Sequence, residues 1–171
     1  MSQTNALLVD AFGRVQSVVH AAVEGLTREQ LTYRVDPDAN TIAWLVWHLT
    51  RIQDDHVCAL ADVEQSWHVD GWFERFGLPF GASSHGYGHS SQDVGAVDVP
   101  ASLLLGYHDA VHDRTVSYVA ALSESDYEEI VDRSWDPPVT RAVRLVSVIG
   151  DDLQHAGQAA FIRGVVKRLG V

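Results

Sequence analysis

The chain has 171 residues and a formal net charge of −11, with 46% hydrophobic and 20% charged residues, values that describe one ordinary globular domain. The acidic balance argues against nucleic-acid binding and against docking on anionic lipid. The single cysteine, Cys58, excludes an internal disulfide and a cysteine-built zinc cage.

No apolar run is long enough to span a membrane, and residues 1–14 lack a basic segment followed by an apolar block. The expectation is therefore a single cytoplasmic domain over residues 1–171, with neither a membrane span nor a leader. A first helix is predicted over about 3–25, where Leu7, Leu8, Phe12, Val15, Val18, Val19 and Val23 recur at helical spacing. "TREQ" at 27–30 has the form of a capping box and starts a short turn. A second helix is predicted from Asn40, taken as its cap, to about residue 62.

A connection of about 38 residues follows, containing "GWFERF", predicted as a short helix, and a Gly/Ser-rich part with "GYGHSS". Such a crossover would let the second and third long helices run parallel. The third helix follows Pro100 and ends near Leu122; the fourth starts after "WDPPVT", capped by Thr140, and reaches about Arg168. No segment alternates with period two for long enough to predict a strand. The expected fold is all-α: a four-helix bundle with a long crossover between its second and third helices.

The last helix contains an anomaly, "GDDLQHAGQAAFIRG" at 150–164. At about 100° per residue, Val148, Ala159, Ile162 and Val166 share the azimuth of His155, and so does Asp151 one turn back. Ionisable groups on a core-facing stripe cost several kcal/mol unless something neutralises them. The second helix has a matching oddity, His48, whose side is shared by Trp44, Leu45, Ile52 and Ala59. One solution serves both helices: a divalent metal held by His48, Asp151 and His155, three protein ligands with a position left open. Imidazole and carboxylate suit zinc, nickel or iron.

Spacing leaves alternatives open. Asp151 and His155 also suit an ordinary within-helix pair. Asp152 competes as a ligand because it lies within about 60° of His155. "YHDAVH" sets His108 and His112 four residues apart on the third helix, and the loop adds His85 and His89.

The combination of "NTIAWLVWHLTRIQDDH", "GYGH" and "DDLQHAGQAAFIRG" resembles the DinB-like superfamily, in particular its branch related to mycothiol-dependent maleylpyruvate isomerase. The likeness spans essentially the whole chain. It is sharpest where a ligand, three residues, a histidine and then Gly-Gln after one residue correspond to Asp151, His155, Gly157 and Gln158; His48 matches the early histidine. The resemblance implies a four-helix bundle whose metal, often zinc or nickel, sits on a triad that is commonly three histidines. Asp151 departs from that triad toward the acidic ligand of the mycothiol-dependent branch. His108 and His112 have no counterpart in it and are expected to be structural or surface residues.

The implied activity is thiol transfer or isomerisation of a small electrophile with a mycothiol-like thiol as cosubstrate, and the implied assembly is a homodimer. The chemistry is coherent, since a dication deprotonates a coordinated thiol outright. A non-catalytic dimeric bundle that binds a metal or small ligand is the alternative. Expected supporting residues are Asp55, orienting His48; Trp44 and Trp47 as pocket wall; Gln158 and Arg163, binding substrate or capping the bundle; and Tyr87 and His89 in a covering loop. Cys58 is expected only to pack.

Overall fold

A computed structural model describes residues 1–171. In chain order the elements are α1 (Gln3–Val23), α2 (Arg28–Leu31), α3 (Ile42–Ala61), α4 (Ser66–Val69), α5 (Trp72–Phe76), α6 (Ser91–Ala96) and α7 (Ala101–Ala121). A 3-10 turn (Glu124–Glu128), β1 (Ile130–Asp132), β2 (Val139–Thr140) and α8 (Arg141–Leu169) complete the chain. The four long helices are the four that periodicity predicts, and the fold is the expected all-α bundle. The capping box at Thr27 forms, and Thr140 caps α8 by accepting from the Val143 N–H.

Three local expectations are corrected. The cap of α3 is Thr41, whose hydroxyl accepts from the Trp44 N–H, so the helix enters one residue later than Asn40 allows. Two short strands exist: Ile130 pairs with Thr140 and Asp132 with Val139, antiparallel. At three and two residues they are too short for alternation to show. Third, α1 is long and apolar enough, by length and composition, to cross a membrane. Here it packs against α7 and α8, burying Phe12, Val15, Val19, Ala22 and Val23.

Side-chain pairs give the helix directions. Asn5 donates to the carbonyls of Ala120 and Leu122 while Gln16 and His20 reach Asp109, so α1 and α7 are antiparallel. Tyr107 meets Asp54, and Tyr118 donates to the Leu60 carbonyl, so α3 and α7 run parallel, as the long crossover allows. Arg141 reaches the Leu60 carbonyl, and His48 lies beside His155, which makes α3 and α8 antiparallel. The crossover is not bare loop: α4, α5 and α6 fold back on the bundle and bury Trp67, Trp72, Phe76 and Val94. Of the three, α5 is the helix expected at "GWFERF".

Candidate metal centre

The buried stripe of α8 is Leu145, Val148, Asp152, Ala156, Ala159, Ile162 and Val166. Asp151 and His155 therefore stand on its shoulder, half-buried and turned toward α3. There they meet His48, which is 5% exposed. One ligand atom from each of His48, Asp151 and His155 lies within 4.8 Å of the other two. His155 Nε2 is 3.6 Å from Asp151 Oδ1, too long for a hydrogen bond. It is close to the ~3.4 Å edge of a tetrahedron built on ligand distances of ~2.1 Å.

Neighbours set the tautomer of both rings. His48 Nδ1 is against the carbonyl oxygen of His85. A carbonyl only accepts, so Nδ1 carries the proton and Nε2 keeps a lone pair. His155 Nδ1 donates to Gln158 Oε1 at 3.1 Å, which in the neutral tautomer leaves the lone pair on Nε2, the nitrogen facing Asp151. Burial holds the His48 pKa below its ordinary value, against the opposing effect of the His85 carbonyl, so the ring is neutral at pH 7. Asp151 Oδ2 is buried with no hydrogen-bond partner. Two lone pairs and a carboxylate thus converge with no proton between them, a donor set that fits a divalent cation.

The backbone that orients His48 is itself anchored. A Cβ at Gly86, where φ is +105°, would lie 2.6 Å from His48 Nδ1 and 3.1 Å from Trp44 Cζ2. Only glycine permits this approach, and it brings the His85 carbonyl onto the ring. Trp44 stacks on His48 with centroids 4.7 Å apart and an interplanar angle of 16°. Its Nε1–H donates to His89 Nδ1, and His89 Nε2 in turn meets Ser84 Oγ at 3.0 Å. His89 thus uses both nitrogens to brace the loop.

Below the loop, the fully buried Arg51 donates to the Ser84 carbonyl, to Gln65 Oε1 and to the Tyr107 hydroxyl. Its partner Asp54 accepts from the Ser66 and Trp67 N–H groups and the Tyr107 O–H, so this buried ion pair is well satisfied. Neither this network nor Gly86 has a sequence pattern that marks it on its own. The Gly pair in "GYG" was the available signal for a close backbone approach.

The remaining predicted residues fall as follows. Tyr87 is 74% exposed and sets its ring edge-on to His48 at 5.9 Å. Asp55 accepts from Gln65 Nε2 at 2.7 Å, which ties it to the Arg51 network. Asp152 is fully buried and lies outside the triad; both its oxygens lack partners, and burial pushes its pKa well above the usual carboxylate range. His108 is likewise in the core rather than on a surface, with neither ring nitrogen bonded. Arg163 caps the end of α1 by donating to the carbonyls of Ala22 and Glu24. Trp47 packs in the core and stacks on His89. Cys58 is buried against Asp54, and its thiol pKa is pushed up to about 12.

A family model described as Mycothiol-S-transferase matches residues 7–167. The fold is similar to a solved structure titled "Crystal structure of the conserved protein of locus from Enterococcus faecalis". That likeness has 29% sequence identity and a TM-score of 0.89, and it covers 95% of this chain and 96% of that one. No functionally curated protein matches the sequence significantly.

Proposed function

The chain belongs to the mycothiol S-transferase family, and on that premise we propose that it transfers a mycothiol-like thiol to a small electrophile. In this proposal His48, Asp151 and His155 hold a divalent cation. The observation that carries it is the convergence of two lone-pair nitrogens, set by the His85 carbonyl and Gln158, on the unpartnered Asp151 carboxylate. Zinc is the proposed ion, and nickel or iron would also suit these donors. The resemblance adds a homodimer to the proposal.

A divalent cation held by His48, Asp151 and His155 would keep a charge of +1 beside one carboxylate and would lower the pKa of a thiol brought to it. The chain's own residues do the rest. The His85 carbonyl and Gln158 hold the two rings in one tautomer, so no proton must move before the thiol arrives. Trp44 covers one face of His48 and keeps water off it. Tyr87, exposed and edge-on to the His48 ring, would cover bound substrate. In the transfer, the sulfur lone pair forms the new C–S bond as the electrophile's leaving group departs with its electron pair, and the thiol proton passes to solvent. Cys58 takes no part, since a buried thiol with a pKa near 12 is not a nucleophile at pH 7.

The test uses tag-free protein from zinc-replete growth. We expect about one metal per chain, loss of that metal in His155→Ala, and alkylation of mycothiol by iodoacetamide faster than its uncatalysed background rate only with the loaded native protein. Metal-free native protein, or full turnover by His155→Ala, would overturn the proposal. Stoichiometric metal with no turnover would leave a binding protein in place of an enzyme.

A further inference from the structure

The groove between α3 and α8 has two cavities, one on each side of the triad, and they differ in chemistry. Along α3 the order is Leu45, His48, His56; along α8, which runs the other way, it is Phe161, His155, Arg144. The cavity on the Leu45 side, about 580 Å³, is lined by Val35, Leu45, Phe161 and Ile162, with Asp38 as its only charged side chain. On the His56 side, about 530 Å³ is lined by both signs of charge, including Asp132, Glu129, Arg141 and Arg144. Gln158 joins the apolar cavity to the triad: it lines the cavity, and its Oε1 accepts the His155 Nδ1 proton.

We infer that the Leu45–Phe161 cavity is the acceptor subsite, taking the uncharged, apolar body of the electrophile, with the thiol's body directed to the His56–Arg144 side. This rests on the proposed thiol transfer, and the reasoning is steric and electrostatic. Sulfur and the attacked carbon bond at the triad, so the two molecular bodies must leave that point in different directions, and the groove offers two. A hydroxyl-rich thiol would lose hydrogen bonds among Val35, Leu45 and Ile162 but can replace them among carboxylates and guanidiniums. An apolar tail has the opposite preference. Asp38 is the one charged residue lining the apolar cavity, and its carboxylate disfavours anionic acceptors.

In the reaction tested, the thiolate sulfur forms a bond to the methylene carbon of an iodoacetamide, the C–I bond breaks, and iodide leaves with the electron pair. The electrophiles are iodoacetamide and N-hexyl iodoacetamide, identical at the reacting carbon. The native protein is expected to favour the hexyl compound in kcat/KM by about tenfold or more, as burial of a six-carbon tail predicts. Gly157→Leu fills the cavity from a position where an added Cβ meets nothing within 4 Å, and it should bring that ratio close to unity. Phe161→Ala, on the exposed wall, should raise the relative rate for tails bulkier than hexyl and serves if Gly157→Leu does not fold.

Binding of neutral 1-naphthol, followed by equilibrium fluorescence, separates this inference from the transferase proposal. The native protein should bind 1-naphthol and Gly157→Leu should not, whether or not any thiol is transferred. Naphthalene-1-sulfonate should bind more weakly than 1-naphthol, and Asp38→Asn should narrow that gap. A native protein that binds no 1-naphthol, or a hexyl preference untouched by both cavity variants, overturns the inference.

Discussion

The carbonyl oxygen of His85 decides which nitrogen of His48 is free, and it reaches the ring because residue 86 has no side chain. An alanine there would need its Cβ 2.6 Å from His48 Nδ1 at a φ of +105°, so the loop must retreat and the ring loses its acceptor. If the proposed centre holds a metal, Gly86→Ala should weaken its binding by about 10- to 100-fold, the usual cost of losing a partner that orients a ligand. The protein should remain folded. Competition against a chelator of known affinity measures the change, and unaltered affinity would show that the loop does not hold His48. His48 was legible in the sequence as a titratable group at an apolar register; Asp151 and His155 were legible by their spacing of four, although they stand on the shoulder of the α8 stripe and not on the core-facing azimuth expected for them. The His85 carbonyl was not, since a main-chain oxygen has no letter of its own. His89 was legible as part of the loop, but its use of both nitrogens on Trp44 and Ser84 depends on contacts across 45 and five residues.

Among the elements, α3 carries the most: it supplies His48, the stacking Trp44 and the Arg51–Asp54 pair that pins the crossover. Its start is therefore a sensitive place. Thr41 is buried and caps the helix through the Trp44 N–H, whereas Asn40 makes no side-chain cap. Thr41→Ala should cost about 1–2 kcal/mol in urea unfolding and Asn40→Ala no more than ~0.5 kcal/mol; the reverse order would return the cap to Asn40. Both residues are good caps, so local chemistry could not choose between them. The four long helices were legible because each repeats its apolar positions over at least five turns. The strands were not, and neither were α4 and α6, because elements of two to six residues carry too few repeats of any period.

Across the molecule, the polar groups buried in the core make stability depend on pH. His108 is fully buried, and burial pushes its pKa down to about 3. In the unfolded chain it titrates near 6.5. The folded pKa is the lower one, so as pH falls below ~6.5 the unfolded state takes up a proton that the folded state refuses. Stability then declines by up to ~1.4 kcal/mol per pH unit until about pH 3, where both states are protonated. His108→Leu should remove that contribution and flatten the acid limb. Urea midpoints at pH 7 and pH 4.5 test this, and equal slopes for native and variant would show that His108 is hydrated in the folded protein. Asp152 acts in the opposite sense: its pKa is raised, so its contribution is full below ~4 and is lost as pH rises above that value.

Periodicity and spacing alone determined that this chain makes four long helices, that α3 carries a histidine where apolar side chains belong, and that a long crossover lets α3 and α7 run parallel. Those properties are local, set by a fixed rotation of about 100° per residue. The same rotation leaves Asp151 and Asp152 on adjacent bearings and cannot say which of them a neighbour faces. Only the packing of α3 against the shoulder of α8 made that choice, placing Asp151 beside His48 and closing Asp152 into the core. The two cavities on either side of the triad are tertiary for the same reason: each is walled by segments far apart in the chain, and their separation exists only once the helices have docked.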